Sequence, residues 1–198
     1  MEQEKILTQF CERAQAALGD RLAAVVLYGS AATGEFDEGR SNLNLLLLVE
    51  SLSLPELRQT KTLLDWWIDK GYSWPLLMTP DEYRRAGDAF PMELSDIASA
   101  HRVLCGSFEF PPVTVERRLH RAQLEHELRS KILRLRQKAI PLLEDPKELL
   151  RLLENSLPTF LVLLRHTLIL AGQHPSFERR ALVALAHSQL GLRVEPFL

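Results

Sequence analysis

VVLYGSAATGEFDEGRSNLNLLLLV, residues 25–49, is the stretch of sequence that decides the fold. An apolar, β-branched run predicts a buried strand over residues 22–28, and this strand ends at Gly29-Ser30. A polar loop follows, and a second apolar run predicts a strand over residues 42–50. Two such strands joined by a short polar loop predict neighbouring positions in one sheet.

Side-chain alternation in the second strand places two asparagines at one end of an apolar centre. Side chains of a strand point alternately to its two faces, so Asn42 and Asn44 share a face. The leucines that follow occupy both faces, which predicts a strand buried on both sides. We expect both asparagines to lie beside Gly29-Ser30, with Cα atoms within about 12 Å. The alternative is that Ser41 and Asn42 only complete a turn.

The segments YGSAATG (residues 28–34) and SNLNLLLLV (residues 41–49) resemble the nucleotidyltransferase superfamily that includes DNA polymerase β and the antibiotic-modifying nucleotidyltransferases. The pattern of that family is a strand ending in Gly-Ser, a short helix or loop, and Asp-x-Asp on the next strand. The match covers about 25 residues. It implies a nucleotidyltransferase-like domain whose nucleotide-binding positions are Gly29, Ser30, Gly34, Asn42 and Asn44.

The same resemblance shows where this chain departs from the family. In such enzymes the two aspartates and a third carboxylate on a later strand hold two Mg²⁺ ions. Here the Asp-x-Asp positions are Asn42 and Asn44, and the later strand expected over residues 72–78 has no acidic residue. We therefore expect no metal site, no cofactor and no catalytic residue. The prediction is a pseudoenzyme that binds a nucleotide or a macromolecular partner.

Two alternatives stay open at this point. An active Mg²⁺-dependent nucleotidyltransferase with an atypical metal site requires other carboxylates, such as Glu93 and Asp96, to converge on Ser30. An RNA-binding module requires a basic helix whose cations share one exposed face. The cations in question are Arg117, Arg118, Arg121, Arg129, Lys131, Arg134, Arg136 and Lys138.

Element patterns predict an α+β fold with two domains. Residues 1–110 read as a small mixed β-sheet with helices, whereas residues 113–198 read as an all-α bundle after the Pro111-Pro112 pair. In the first domain, residues 94–97 and 101–106 are each expected to form a short strand. In the second, Pro158 is expected to kink or break a helix. A buried stripe is predicted at Leu124, Leu128, Ile132, Leu135, Ala139 and Leu142.

Composition sets limits on the location and partners of the chain. A net charge of −2 over 198 residues gives no global reason to expect nucleic acid or an acidic membrane as a partner. Cys11 and Cys105, far apart in sequence, are expected to be free thiols in a reducing cytosol. The N-terminus lacks a secretory pattern, and the apolar stretch 157–170 is too short for a membrane span. The prediction is a cytoplasmic protein. Trp66 and Trp67 are adjacent on a helix, so at least one of them belongs to the core.

Overall fold

The computed structural model describes residues 2–33, 43–111 and 115–193. Within these residues the chain divides into two compact units. The sheet unit comprises residues 2–89 and 93–111, and the helical unit comprises residues 90–92 and 115–193.

Four strands form a single mixed sheet in the sheet unit. They are β1 (Leu22–Tyr28), β2 (Asn44–Val49), β3 (Leu76–Met78) and β4 (His101–Gly106), in the order β3-β2-β1-β4. β1 is antiparallel to both β2 and β4, whereas β2 and β3 are parallel. The mixed sheet predicted from the sequence is therefore confirmed. The central pair β1 and β2 consists mainly of fully buried aliphatic residues, as expected for strands covered on both faces.

Helices cover both faces of the sheet. On one face α1 (Glu2–Leu18) and α2 (Leu54–Asp69) bury Phe10 and Trp67 against Val25, Leu27 and their neighbours. On the other face, α3 (Pro80–Arg85) and α4 (Pro91–Ser99) pack against alternate residues of the same strands. The start of α3 is fixed by a capping box in which Thr79 and Glu82 bond to each other's backbone N–H at 3.1 and 2.7 Å.

One strand prediction in this unit was wrong, and another strand was predicted to be too long. Residues 94–97 lie inside α4, because Leu94 and Ile97 are spaced three apart and both face the sheet, as helical periodicity requires. The third strand is limited to Leu76–Met78, because Pro75 lacks the N–H that a strand ladder needs. Residues 101–106 do form a strand, as expected.

The helical unit contains α5 (Arg117–Ala139), α6 (Pro146–Leu170) and α7 (Arg179–Leu190), with a short 3-10 helix at Ile140–Leu142. Pro158 does not break α6, which continues through it from Pro146 to Leu170, so the predicted break is wrong. Because proline has no N–H, it makes no intrahelical hydrogen bond to the carbonyl of Glu154, and Glu154 is an exposed residue. The stripe predicted on α5 is only partly buried. Leu124 is 4% exposed, Ile132 is 38% exposed, and the other four members lie between these limits. Over the described residues, every helix is too short or too polar to cross a lipid bilayer.

Candidate functional site

Gly29 occupies a position that only glycine fits comfortably. Its φ is +78°, a conformation that L side chains rarely adopt. A Cβ at this position would also lie 3.3 Å from Nδ2 of Asn44. The Gly29 N–H donates to the carbonyl oxygen of Ala100 at 3.0 Å, which ties the end of β1 to the segment before β4. The turn that ends β1 therefore contacts both of its neighbours, Asn44 of β2 and Ala100 just before β4.

Asn44 lies beside this turn, as the sequence predicted. It is the direct cross-strand partner of Tyr28, the last residue of β1. Ser30 follows in a 3-10 helix, Gly29–Ala32, and its carbonyl oxygen accepts hydrogen bonds from Thr33 N at 3.3 Å and Oγ1 at 2.9 Å. Gly34 and Asn42, the other two predicted binding positions, lie outside the described residues, as do the acids of the loop between them.

A row of three polar side chains crosses the sheet at this end. Tyr28 pairs with Asn44 on one side and with His101 on the other. Residues directly opposite each other in a sheet project to the same face, so Asn44, Tyr28 and His101 share one surface. Sequence reasoning found only Asn44, because the pairing of Tyr28 with His101 joins strands that are far apart along the chain.

His101 forms a backbone hydrogen bond through one ring nitrogen, and its other ring nitrogen points away from that bond. Its Nδ1 donates to the carbonyl oxygen of Ile97 at 2.7 Å, and its ring lies 4.2 Å from the ring of Phe110, centroid to centroid. Because a carbonyl can only accept, Nδ1 carries the proton. In the neutral ring, Nε2 is then a hydrogen-bond acceptor on an exposed residue.

Tyr28 sits between these groups and close to a carboxylate. Burial raises the pKa of the Tyr28 phenol, and the negative charge of Glu93 on α4 raises it further. The phenol therefore remains a hydrogen-bond donor throughout the physiological range. From the sequence, Glu93 was predicted only as an acid that an active enzyme would need. Its proximity to Tyr28 follows from α4 being a helix over this face.

These residues can hydrogen-bond a ligand but supply little charge for a metal. Asn44 offers an amide, Tyr28 a hydroxyl and His101 a ring nitrogen, while Glu93 brings one carboxylate into electrostatic range of Tyr28. The strand parallel to β2, Leu76–Met78, is entirely apolar. In residues 2–33, 43–111 and 115–193, no three His, Cys, Asp or Glu side chains converge to form a metal site. Mg²⁺ binding favours several anionic oxygens.

The basic residues of α5 do not share one face. At about 100° per residue, the eight cations named from the sequence spread over an arc of about 220° around the helix. Two of them are paired within the helix, Arg121 with Glu125 at 2.7 Å and Lys131 with Glu127 at 3.5 Å. Arg117 donates to the carbonyl oxygen of Leu170 at 2.8 Å. The condition set for an RNA-binding helix, one exposed cationic face, is not met.

A second polar cluster, missed in the sequence, lies inside the helical unit. His120 and His166 are 3% and 0% exposed, and their Nε2 and Nδ1 atoms are 2.9 Å apart. Nη2 of Arg165 lies 3.2 Å from Nε2 of His166. The guanidinium of Arg165 also stacks on the ring of Phe177 at 4.2 Å. No local pattern could have revealed the cluster, because His120 and His166 lie on different helices.

The hydrogens of this cluster follow from its geometry. A guanidinium can only donate, so Nε2 of His166 accepts from Arg165. The Nδ1–H of His166 then donates to Nε2 of His120. Both rings are therefore neutral in the folded protein, and burial together with His166 lowers the pKa of His120 to about 4.

Comparison with known proteins gives no relative for this chain: no protein-family model, curated protein or solved structure matches it.

Replacing Gly29 with alanine should destabilise the sheet unit by about 2 kcal/mol, because the left-handed backbone and the approach to Asn44 both penalise a Cβ. Urea unfolding followed by tryptophan fluorescence measures this, since all three tryptophans lie in the sheet unit. Gly19→Ala is the matched control: φ there is +55° but no atom lies within 4 Å of the added Cβ, so about 1 kcal/mol is expected. Equal costs at the two positions would show that the contact with Asn44 is unimportant.

Proposed function

We propose that the sheet unit is a nucleotidyltransferase-like domain that binds a nucleotide without a metal pair and does not transfer it. The observation that carries the proposal is the position of Asn44. It stands opposite Tyr28 and against Gly29, where the family pattern has a metal-binding aspartate.

The arrangement of strands supports the family part of this proposal. A strand ending in Gly-Ser, a short 3-10 helix and an antiparallel neighbouring strand reproduce the order of the motif. The parallel strand β3 occupies the place expected for the third carboxylate, and it contains only Leu76, Leu77 and Met78.

The charges available support the loss of transfer chemistry. Two unit charges 4 Å apart attract each other by about 4 kcal/mol at an effective dielectric constant of about 20. Replacing the aspartates and the third carboxylate with neutral side chains forfeits several such interactions with each divalent ion. Among the residues that the structure describes, Glu93 is the carboxylate that acts on Tyr28, and one carboxylate cannot replace three. The polar row of Asn44, Tyr28 and His101 remains suited to hydrogen-bonding a base, a sugar or a phosphate.

A binding titration with ATP and GTP in the presence of a chelator tests the location of the site. Asn44→Ala is expected to weaken binding about fivefold, because a typical hydrogen bond contributes about 1 kcal/mol net. The matched control is Asn155→Ala, an exposed asparagine of the helical unit, which should leave affinity unchanged. Circular dichroism of both variants controls for folding.

Three results would overturn this assignment. The first is that neither nucleotide shows saturable binding. The second is that the Asn44→Ala variant binds as tightly as the unaltered chain. The third is that single-stranded RNA binds instead, with affinity that falls steeply with salt and upon charge reversal on α5, which would favour the RNA-binding alternative.

A further inference from the structure

The two cysteines of the chain face each other in the sheet unit. Cys11 lies on α1 and Cys105 on β4, and both are free thiols half-buried against the same apolar core. The two side chains interact, since each is the leading cause of the other's pKa shift, which is upward for the Cys11 thiol and downward for the Cys105 thiol. No sequence pattern indicates this pairing, because the two residues are far apart along the chain.

A β-bulge directs Cys105 toward α1. On β1, Leu27 pairs with Arg102 and Val25 pairs with Cys105, so Leu104 is an extra residue on β4. In a regular strand, residues three apart point to opposite faces. The bulge instead places Arg102 and Cys105 on the same face, which α1 covers.

An ion pair between α1 and β4 holds this register. Two hydrogen bonds, of 2.7 and 3.2 Å, join the guanidinium of Arg102 to the carboxylate of Glu4. Cys11 lies two helical turns beyond Glu4, about 10 Å along α1. Cys105 lies three residues beyond Arg102, also about 10 Å along β4. The ion pair and the thiol pair are therefore two matched contacts between the same helix and strand.

We propose that Cys11 and Cys105 form an oxidisable dithiol, a modification site at which a peroxide converts the pair into a disulfide that ties α1 to β4. Because they are the only two cysteines in the chain, the intramolecular product has a single connectivity.

Cys105 is the sulfur that reacts first. Interaction with Cys11, together with the backbone N–H of Val25, lowers the pKa of the Cys105 thiol, whereas interaction with Cys105 raises the pKa of the Cys11 thiol. The Cys105 thiolate attacks one peroxide oxygen, the O–O bond breaks, and a sulfenic acid and hydroxide form. The hydroxide takes up the proton that Cys105 released on ionisation and becomes water. The sulfur of Cys11 then attacks the sulfenic sulfur and the S–O bond breaks. The hydroxide released takes up the Cys11 proton and leaves as a second water.

The test is mild oxidation of the reduced 198-residue chain with one to two equivalents of hydrogen peroxide. We expect both thiols to be lost together, with the mass falling by two hydrogen atoms and the protein remaining monomeric on a non-reducing gel. Peptide mapping should recover one fragment linking Cys11 to Cys105. Because a disulfide restricts the unfolded chain, the Tm should rise by about 5 °C or more, and dithiothreitol should reverse the rise.

Single variants distinguish the order of the steps. In Cys11→Ser, the sulfenic acid at Cys105 has no partner and should be trapped as a dimedone adduct. In Cys105→Ser, less adduct should form at Cys11 under the same conditions. The proposal fails if the unaltered protein keeps both thiols, gives intermolecular dimers, forms sulfinic acids without a disulfide, or forms the disulfide with no rise in Tm.

Discussion

Acidification from pH 7 to pH 4 is expected to remove about 3 kcal/mol from the folding free energy of the helical unit. The pKa of His120 in the folded protein is about 4, against an ordinary value of 6.5. Each unit of difference between the two pKa values corresponds to about 1.4 kcal/mol of stability. At pH values between 4 and 6.5, His120 is protonated in the unfolded chain but neutral in the folded chain. Stability therefore falls as the pH falls from 6.5 toward 4, and this contribution is constant outside that window.

The structural reason is the direction of the hydrogen bonds between the two histidines. His120 accepts the Nδ1–H of His166, and the charge of Arg165 lies at the other end of the same chain of hydrogen bonds. A proton on Nε2 of His120 removes the acceptor and adds a second positive charge to a buried cluster.

Amide hydrogen exchange of α5 and α6 between pH 7 and pH 4 measures this loss, after correction for the intrinsic rates. The helical unit contains no tryptophan, so fluorescence would report only on the sheet unit. His120→Gln should remove most of the pH dependence in this window, and His174→Gln, at an exposed position, should retain it. Protection that is independent of pH, or equal slopes in the two variants, would contradict the assignment of tautomers.

Replacement of Trp67 by alanine is expected to cost about 4 kcal/mol, the range found when a large buried aromatic side chain is removed. Trp67 is fully buried, stacks on Tyr72 at 4.2 Å and meets Phe10 edge to face at 4.8 Å. Its Nε1 donates to the carbonyl oxygen of Ser73 at 2.9 Å. The ring therefore joins α1, α2 and the segment that leads into β3.

The neighbouring Trp66 provides the matched control. It is only half-buried, with the guanidinium of Arg13 4.4 Å from its ring centre. Trp66→Ala should cost about 1 kcal/mol, in line with a partly exposed cation–π pair. Urea unfolding followed by circular dichroism compares the two variants without relying on the residue that has been removed. Similar costs for both would mean that the core does not depend on Trp67 as described.

The fold was predictable where burial and periodicity agree. β1 and β2 are continuous apolar runs, and their covered position in the sheet follows from that pattern. The error at residues 94–97 arose because an apolar run of four residues fits both a strand and a helical turn. Only the packing of Leu94 and Ile97 on the sheet decides between them. Pro158 is a case in which the local signal was misleading. Helix α6 continues through it, because the packing of a long helix outweighs the local cost of a proline.

The candidate site was predictable only along one strand pair. Alternation correctly placed Asn44 beside Gly29, because Asn44 begins β2 and Gly29 directly follows β1, and these neighbouring strands are close in sequence. His101 and Glu93 join Tyr28 at the site through β4 and α4, whose places depend on the order of strands in the sheet. The same limit applies to His120 with His166 and to Cys11 with Cys105. Long-range pairs of this kind are set by packing and leave no periodic trace in one sequence.

The central claim is that Asn44 stands in place of a metal-binding aspartate in a nucleotide site. Isothermal titration calorimetry of ATP and GTP, each with a chelator and with excess Mg²⁺, tests it most directly. We predict the same affinity within about twofold in both conditions, because neutral side chains gain little from a divalent ion. A gain of tenfold or more from Mg²⁺, equal to about 1.4 kcal/mol, would contradict the account and indicate a working metal site.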